Sequence, residues 1–326
     1  MRFAIAGSGA IGSYLGAVLS RAGHNVSLIT RGPHLQAIRE HGLRVLTGAG
    51  NFVVTPMATD DPADIGTVDV VVITAKAHSV ESVATRLGPL LGPETMVVSC
   101  QNGIPWWYFI DAGTPVDGVR LATLDPRGAI ASSIELRRVL GSVWYPSLDM
   151  VEPGVIQLVP GNDRVTIGEP SGARSNRCDA IADALRAAGL NCVATTQIRR
   201  ELWDKAVGSG AYNMLGALTR ATLRDMRNSA ELRPVARTIM QEINAVAMRV
   251  GITDLDVDGK VAAATNMGPH KMSMLQDLEL GRPLELEGTV GVILELGSKL
   301  NLSLPLTSSL YVCARLLDEK AREGQA

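Results

Sequence analysis

The sequence predicts an α/β chain whose first part is a doubly wound parallel sheet with an antiparallel extension and whose second part is all helix. Three observations predict it. Short β-branched runs alternate with helical stretches over roughly the first 100 residues. Strand-like segments separated by Gly and Pro turns follow from about residue 120. Beyond about Thr196, apolar residues recur at the three- and four-residue spacing of helices.

Phe3-Ala4-Ile5-Ala6 reads as a buried strand, Ile11 to Arg21 as a helix, Val26 to Ile29 as a second strand, and Pro33 to Glu40 as a second helix. Val68 to Thr74, broken only by Asp69, and Met96 to Cys100 have the apolar character of strands buried on both faces, which calls for a parallel sheet with right-handed crossovers. Arg138 to Tyr145, Val155 to Leu158 and Val165 to Ile167 read as the antiparallel extension, followed by a helix from Asn176 to Ala188 and a strand from Cys192 to Ala194. Five helices are predicted next: Ile198 to Leu218, Ala230 to Val250, Val257 to Asn266, Thr289 to Leu300 and Thr307 to Arg322. Breaks at Gly251, Gly268 and Gly281 and a stop at Pro305 divide them. The domain boundary falls near 196, giving domains 1–196 and 197–326.

Composition narrows the function classes. Against 33 acidic residues stand 31 basic ones, a net charge of -2 with no broad basic field, so nucleic acid is not expected as a partner. No apolar run approaches the ~20 residues that span a bilayer, and the N-terminus lacks the pattern of a signal peptide. Four scattered cysteines form no Cys-x-x-Cys pair and five histidines show no metal spacing. A reduced cytoplasmic enzyme without a metal is expected.

Gly7-Ser8-Gly9-Ala10-Ile11-Gly12 is a G-x-G-x-x-G between the first strand and the first helix, the Rossmann-type dinucleotide fingerprint. Its glycines serve a tight turn, close approach of the backbone to a pyrophosphate, and helix–strand packing, while the helix N-terminus attracts the phosphates. Thr30-Arg31 ends the second strand where NAD enzymes carry an acid for the ribose hydroxyl. A guanidinium there suits a 2′-phosphate, so NADP is the expected cofactor. Lys76 and Asn102 end later strands and are expected at the same crevice.

In the second part, Lys205, Ser209 and Asn213 follow at steps of four and share one helix face. A second polar cluster runs from His270 through Ser273 to Asp277, then Gly281-Arg282 and Glu285. Taken alone, either group also suits a solvated surface.

Together these motifs resemble the ketopantoate reductase (2-dehydropantoate 2-reductase) family over nearly the whole chain. The resemblance is carried by the glycine fingerprint, Arg31, Lys76-Ala77, Gln101-Asn102-Gly103, Leu202-Trp203-x-Lys205 with Asn213, and Ser273 to Asp277 followed by Gly281-Arg282 and Glu285. It implies an NADPH-binding Rossmann domain joined to a helical substrate domain like the C-terminal domain of 6-phosphogluconate dehydrogenase, and reduction of 2-dehydropantoate to (R)-pantoate. It further implies Lys205 as general acid, its pKa lowered by partial burial from about 10.4, with Glu285 orienting it. Asn213, Ser273 and Asn102 take substrate-binding positions, and Asn102 also touches the cofactor. Two positions depart from the family: Ser209 stands where a second Asn is common, and Pro105-Trp106-Trp107 replaces a small glycine-containing turn. Another branched 2-oxo acid on the same scaffold is the alternative substrate, and a non-catalytic NADP-binding regulator the alternative class. Apolar helix faces suffice for a homodimer but pack equally well inside one chain.

Overall fold

The computed structural model describes residues 1–110, 113, 117–262 and 270–323. The chain divides into two compact units, Met1–Gln101 with Arg127–Arg199, and Asn102–Pro126 with Arg200–Ala326. Expectation put all of 1–196 in one domain; residues 102–126 instead pack with the C-terminal helices.

The first unit starts with β1 (Arg2–Ala6), α1 (Ala10–Arg21), β2 (Asn25–Ile29), α2 (Gly32–His41), β3 (Leu43–Leu46), β4 (Phe52–Val54) and β5 (Met57–Thr59). It continues through β6 (Val68–Ile73), α3 (Val80–Ala84) and β7 (Leu91–Ser99). After the excursion come α4 (Ala129–Ser133), β8 (Val139–Trp144), β9 (Ser147–Glu152), β10 (Val155–Val159), β11 (Arg164–Gly168), α5 (Asn176–Ala187) and β12 (Asn191–Ala194).

Eight strands form the main sheet in the order β12-β11-β8-β7-β6-β1-β2-β5. From β8 to β5 every pairing is parallel, and β11 joins β8 antiparallel with Val165 opposite Trp144. Val70 to Ile73 and Phe3 to Ala6 are buried throughout, as suits strands covered on both faces.

The expected extension is therefore present only where β11 meets β8, with two changes: β8 itself joins β7 parallel and continues the parallel part of the sheet, and the second segment leaves that sheet. Val155–Val159 pairs antiparallel with β9 and parallel with β3 in a separate four-stranded sheet, β4-β3-β10-β9. Its apolar residues Ile156, Leu148, Met150 and Phe52 join the same core as Leu15, Val18 and Leu19 of α1, so burial of α1 recruits these short strands.

The second unit is helical: α6 (Ile198–Thr219), α7 (Leu223–Asn228), α8 (Leu232–Arg249), α9 (Val257–Ala262), α10 (Ser273–Glu279), α11 (Val292–Lys299) and α12 (Pro305–Glu323). The predicted continuation of α9 to Asn266 and the break at Gly268 lie outside the described residues. Pro305 opens α12 rather than stopping its predecessor, since a first-turn residue needs no amide proton. The carboxylate of Glu242 accepts from the amides of Leu306 and Thr307 at 3.1 and 2.8 Å and caps that helix.

On α8, Ala236, Ile239, Met240, Ile243, Val246 and Ala247 form the buried stripe, each large side chain contributing about 1.5–3 kcal/mol of burial. The excursion 102–126 is tied in by Glu295 of α11, whose carboxylate accepts from the amides of Ala122 and Thr123, both at 2.9 Å. Burial works against that charge, yet the hydrogen bonds from Thr123 and Ala122 outweigh it and hold Glu295 below the usual carboxylate range.

Candidate active site

In the first unit the fingerprint follows β1 and opens α1, at the point where strand order reverses between β1 and β6. Gly7 has φ +98°, and a Cβ there would lie 2.8 Å from the Ala75 amide nitrogen. A Cβ on Gly12 would lie 2.4 Å from Oγ1 of Thr74, which itself donates to the Gly7 carbonyl at 2.7 Å. The glycine turn is thus locked against the end of β6, just before Lys76.

Gly9 differs, because a Cβ there would meet nothing within 4 Å. Open space faces this position at the start of α1, where first-turn amides have no partner in the helix. The Ser8 hydroxyl is buried and has no hydrogen-bond partner among the described residues. An open cradle, free first-turn amides and an orphaned hydroxyl fit a pyrophosphate. Arg31 is the exposed N-cap residue of α2 just beyond β2, and Lys76 is half-buried beyond β6.

The second unit gathers the other candidates. Lys205, half-buried on α6, donates from Nζ to Oδ1 of Asn102 at 2.8 Å. The Asn102 amide nitrogen stands 3.5 Å from Oε2 of Glu285, a buried carboxylate ahead of α11. Asn102 therefore holds a cation through its oxygen and faces an anion through its nitrogen.

Two turns further along α6, Oδ1 of Asn213 accepts from the Ser273 hydroxyl at 2.9 Å and the Met274 amide at 3.2 Å. The same residue donates from Nδ2 to the backbone carbonyl of Ser209 at 3.0 Å. Ser209 thus enters through its backbone, and Asn213 ties α10 to α6. Sequence reasoning read 270–277 only as a polar cluster; Met274, Leu275 and Leu278, buried at helical spacing, are the signal that marks it as a helix.

Gly103 is a functional position the sequence left without a role. At φ +78° it passes so close to the turn after Glu285 that a Cβ would sit 1.9 Å from the Gly288 carbonyl oxygen. This approach seats Asn102 beside Glu285. The following segment is nailed down by Trp107, Tyr108 and Phe109, all buried, and Trp203 donates its indole N–H to the Tyr108 hydroxyl at 2.9 Å. Trp106 and Trp107 are both buried core residues.

Burial pushes the Cys178 thiol up to about 11 and the Cys192 thiol up to about 12, so both stay protonated. No helix among the described residues is long and apolar enough to cross a membrane.

A doubly wound α/β unit with an open glycine turn after its first strand, followed by a helical unit that presents a lysine, an amide and a carboxylate together, has the make-up of a two-unit dinucleotide-binding oxidoreductase. The comparisons narrow the class. The family model described as ketopantoate reductase PanE/ApbA matches residues 3–110, and its C-terminal counterpart matches residues 197–318. A 2-dehydropantoate 2-reductase of Mesorhizobium japonicum is 40% identical over 319 residues, which cover 97% of this chain and 98% of the relative. The chain belongs to the ketopantoate reductase family.

Among solved structures, a chain from Ralstonia solanacearum MolK2 superposes with a TM-score of 0.93 at 36% identity, covering 98% of both chains. A D-mandelate dehydrogenase solved with NADH and anilino(oxo)acetate, at 22% identity, shares the fold with a TM-score of 0.84 over 98% of this chain and 99% of that one.

Proposed function

We propose that the chain reduces 2-dehydropantoate to (R)-pantoate with NADPH, a step toward pantothenate and coenzyme A. One observation carries the reading: the Lys205 ammonium is held at 2.8 Å by Asn102, whose amide also faces Glu285. When bound, the cofactor supplies a hydride to the ketone carbon of the substrate. Lys205 then donates a proton to the oxygen that gains negative charge, and its positive charge stabilises that oxygen as the charge develops. Asn102 fixes the direction of Nζ, and Glu285, as a carboxylate with acceptors only, holds the Asn102 amide in the orientation that leaves Oδ1 toward the lysine. Asn213 and Ser273, already hydrogen-bonded to each other, offer an amide and a hydroxyl to the carboxylate and 4-hydroxyl of the substrate, beside Ser209.

The residues of the first unit fit the cofactor. Gly7, Ser8, Gly9, Ala10, Ile11 and Gly12 would hold the pyrophosphate, Arg31 the 2′-phosphate, and Lys76 a phosphate or the ribose. Asn102 would reach the nicotinamide as well as the substrate. A reduced cytoplasmic setting agrees with four cysteines that carry thiols rather than disulfides.

Ser209 favours one second reading. Its short side chain, where the family resemblance implies an amide, suits another branched 2-oxo acid on the same scaffold. Absorbance at 340 nm with NADPH and a panel of 2-oxo acids decides between them. Fastest turnover with 2-dehydropantoate supports the proposal; a higher kcat/KM for another acid replaces the substrate, and no oxidation with any acid overturns the reading in favour of a non-catalytic NADP-binding regulator.

A further inference from the structure

The glycine loop is braced from behind by a buried hydrogen-bond relay outside the cofactor fingerprint. The amide of Gly154, in the turn between β9 and β10, donates to Nδ1 of His34 at 2.9 Å. Since Nδ1 accepts, the neutral ring carries its proton on Nε2, which lies 2.9 Å from the Ser13 hydroxyl oxygen. Ser13 in turn donates to the backbone carbonyl of Ser8 at 3.1 Å. Ser13 is 0% exposed and His34 8%, so every link is shielded from water and each donor has a single acceptor to satisfy.

The relay joins the two places from which a dinucleotide would be held. One end is Ser8, inside the phosphate loop. Its carbonyl precedes the first helical hydrogen bond, which runs from the Ser13 amide to the Gly9 carbonyl at 2.9 Å. Left to rotate, that carbonyl would turn a negative oxygen toward a bound pyrophosphate; Ser13 keeps it turned into α1. The other end is the first turn of α2, where His34 sits three residues after the N-cap Arg31. Anchoring the ring to Gly154 and Ser13 fixes the register of that turn, and with it the point from which the Arg31 side chain departs. Burial keeps the His34 pKa below its ordinary value and so keeps the ring in the neutral form the relay requires.

We propose that Ser13 and His34 are positioning residues for the dinucleotide, holding the phosphate loop and the Arg31 turn in their binding geometry without touching the ligand. The inference rests on the dinucleotide reading given above.

Calorimetric titration of NADPH into the full-length protein tests it, with wild type, Ser13→Ala, His34→Leu and His34→Gln. Ser13→Ala and His34→Leu are expected to raise the NADPH Kd about tenfold, the order expected when one buried hydrogen bond is lost. His34→Gln, whose side-chain amide offers a donor NH2 and an acceptor oxygen in place of the two ring nitrogens, is expected to recover most of that loss. KM for NADPH should follow Kd while kcat at saturation keeps its wild-type value, a split that general destabilisation does not produce. Wild-type Kd in Ser13→Ala overturns the inference even if His34→Leu fails to fold. Absence of NADPH and NADH binding in wild type overturns the dinucleotide reading itself, and this inference with it.

Discussion

Gly103→Ala is the perturbation whose effect follows most directly from the backbone geometry. An added Cβ would stand 1.9 Å from the Gly288 carbonyl oxygen, 2.8 Å from its carbon and 3.1 Å from the Thr289 Cα. All three are backbone atoms, so no change of rotamer relieves the contact. The two segments must part by about 1 Å before the closest pair reaches an acceptable separation. The left-handed backbone adds about 1–2 kcal/mol for a residue with a Cβ. Asn102 precedes Gly103, and a shift of about 1 Å carries its 2.8 Å contact with Lys205 out of hydrogen-bond range. Misplacement of a reacting group by that distance costs roughly 100-fold in rate. Steady-state turnover at 340 nm should therefore show kcat reduced about 100-fold, while calorimetry shows NADPH binding weakened by no more than about tenfold, the loss of the one Asn102 contact. The melting temperature should fall by roughly 2–4 °C for each kcal/mol of strain. Wild-type kcat and melting temperature together would refute the close approach as the device that seats Asn102.

Three further outcomes are expected. Arg31→Asp should weaken NADPH about 10- to 100-fold, the range of a charge-assisted contact, and leave NADH nearly unchanged; equal weakening of both contradicts the 2′-phosphate assignment. His34 is buried neutral with its pKa below the ordinary 6.5. Its contribution to stability is therefore complete above about pH 6.5 and lost as pH falls through the lower folded-state value. Melting curves from about pH 7.5 to about pH 5 should decline more steeply for wild type than for His34→Gln, and parallel curves contradict this. Tyr108→Phe leaves the buried Trp203 indole without the acceptor now at 2.9 Å, a cost of about 1–3 kcal/mol visible as a lower urea midpoint; an unmoved midpoint removes that bond from the account.

What the sequence discloses is local. The glycine fingerprint, the long apolar strands and the helical stripes each lie within one window of the chain, so their periodicity suffices to read them. The second sheet escapes that reading because its strands are short and partly exposed, Val53 at 51% and Val151 at 56%, and its order depends on burying α1. Pro305 was legible as punctuation but not in direction, because a proline ends one helix and starts another with the same sequence signal.

In the candidate site, the step-of-four stripe Lys205, Ser209, Asn213 was visible as one helix face. Its partners were not. Asn102 is 103 residues from Lys205 and 183 from Glu285, and the Gly103 approach to Gly288 depends on the same long-range packing. The resemblance to the family named Asn102 and Glu285, whereas the geometry adds that a single amide contacts both charged groups. Likewise, the relay from Gly154 to Ser8 passes through a histidine that sequence spacing gave no reason to single out.

The central claim is that Lys205 supplies the proton for reduction of a 2-oxo acid. Its most direct test is turnover of 2-dehydropantoate by Lys205→Ala, followed at 340 nm with NADPH held at saturation and its binding checked by calorimetry. Loss of the ammonium should lower kcat by about 100- to 10,000-fold, the span of general acid catalysis, with the NADPH Kd at the wild-type value. Turnover at the wild-type rate would contradict it.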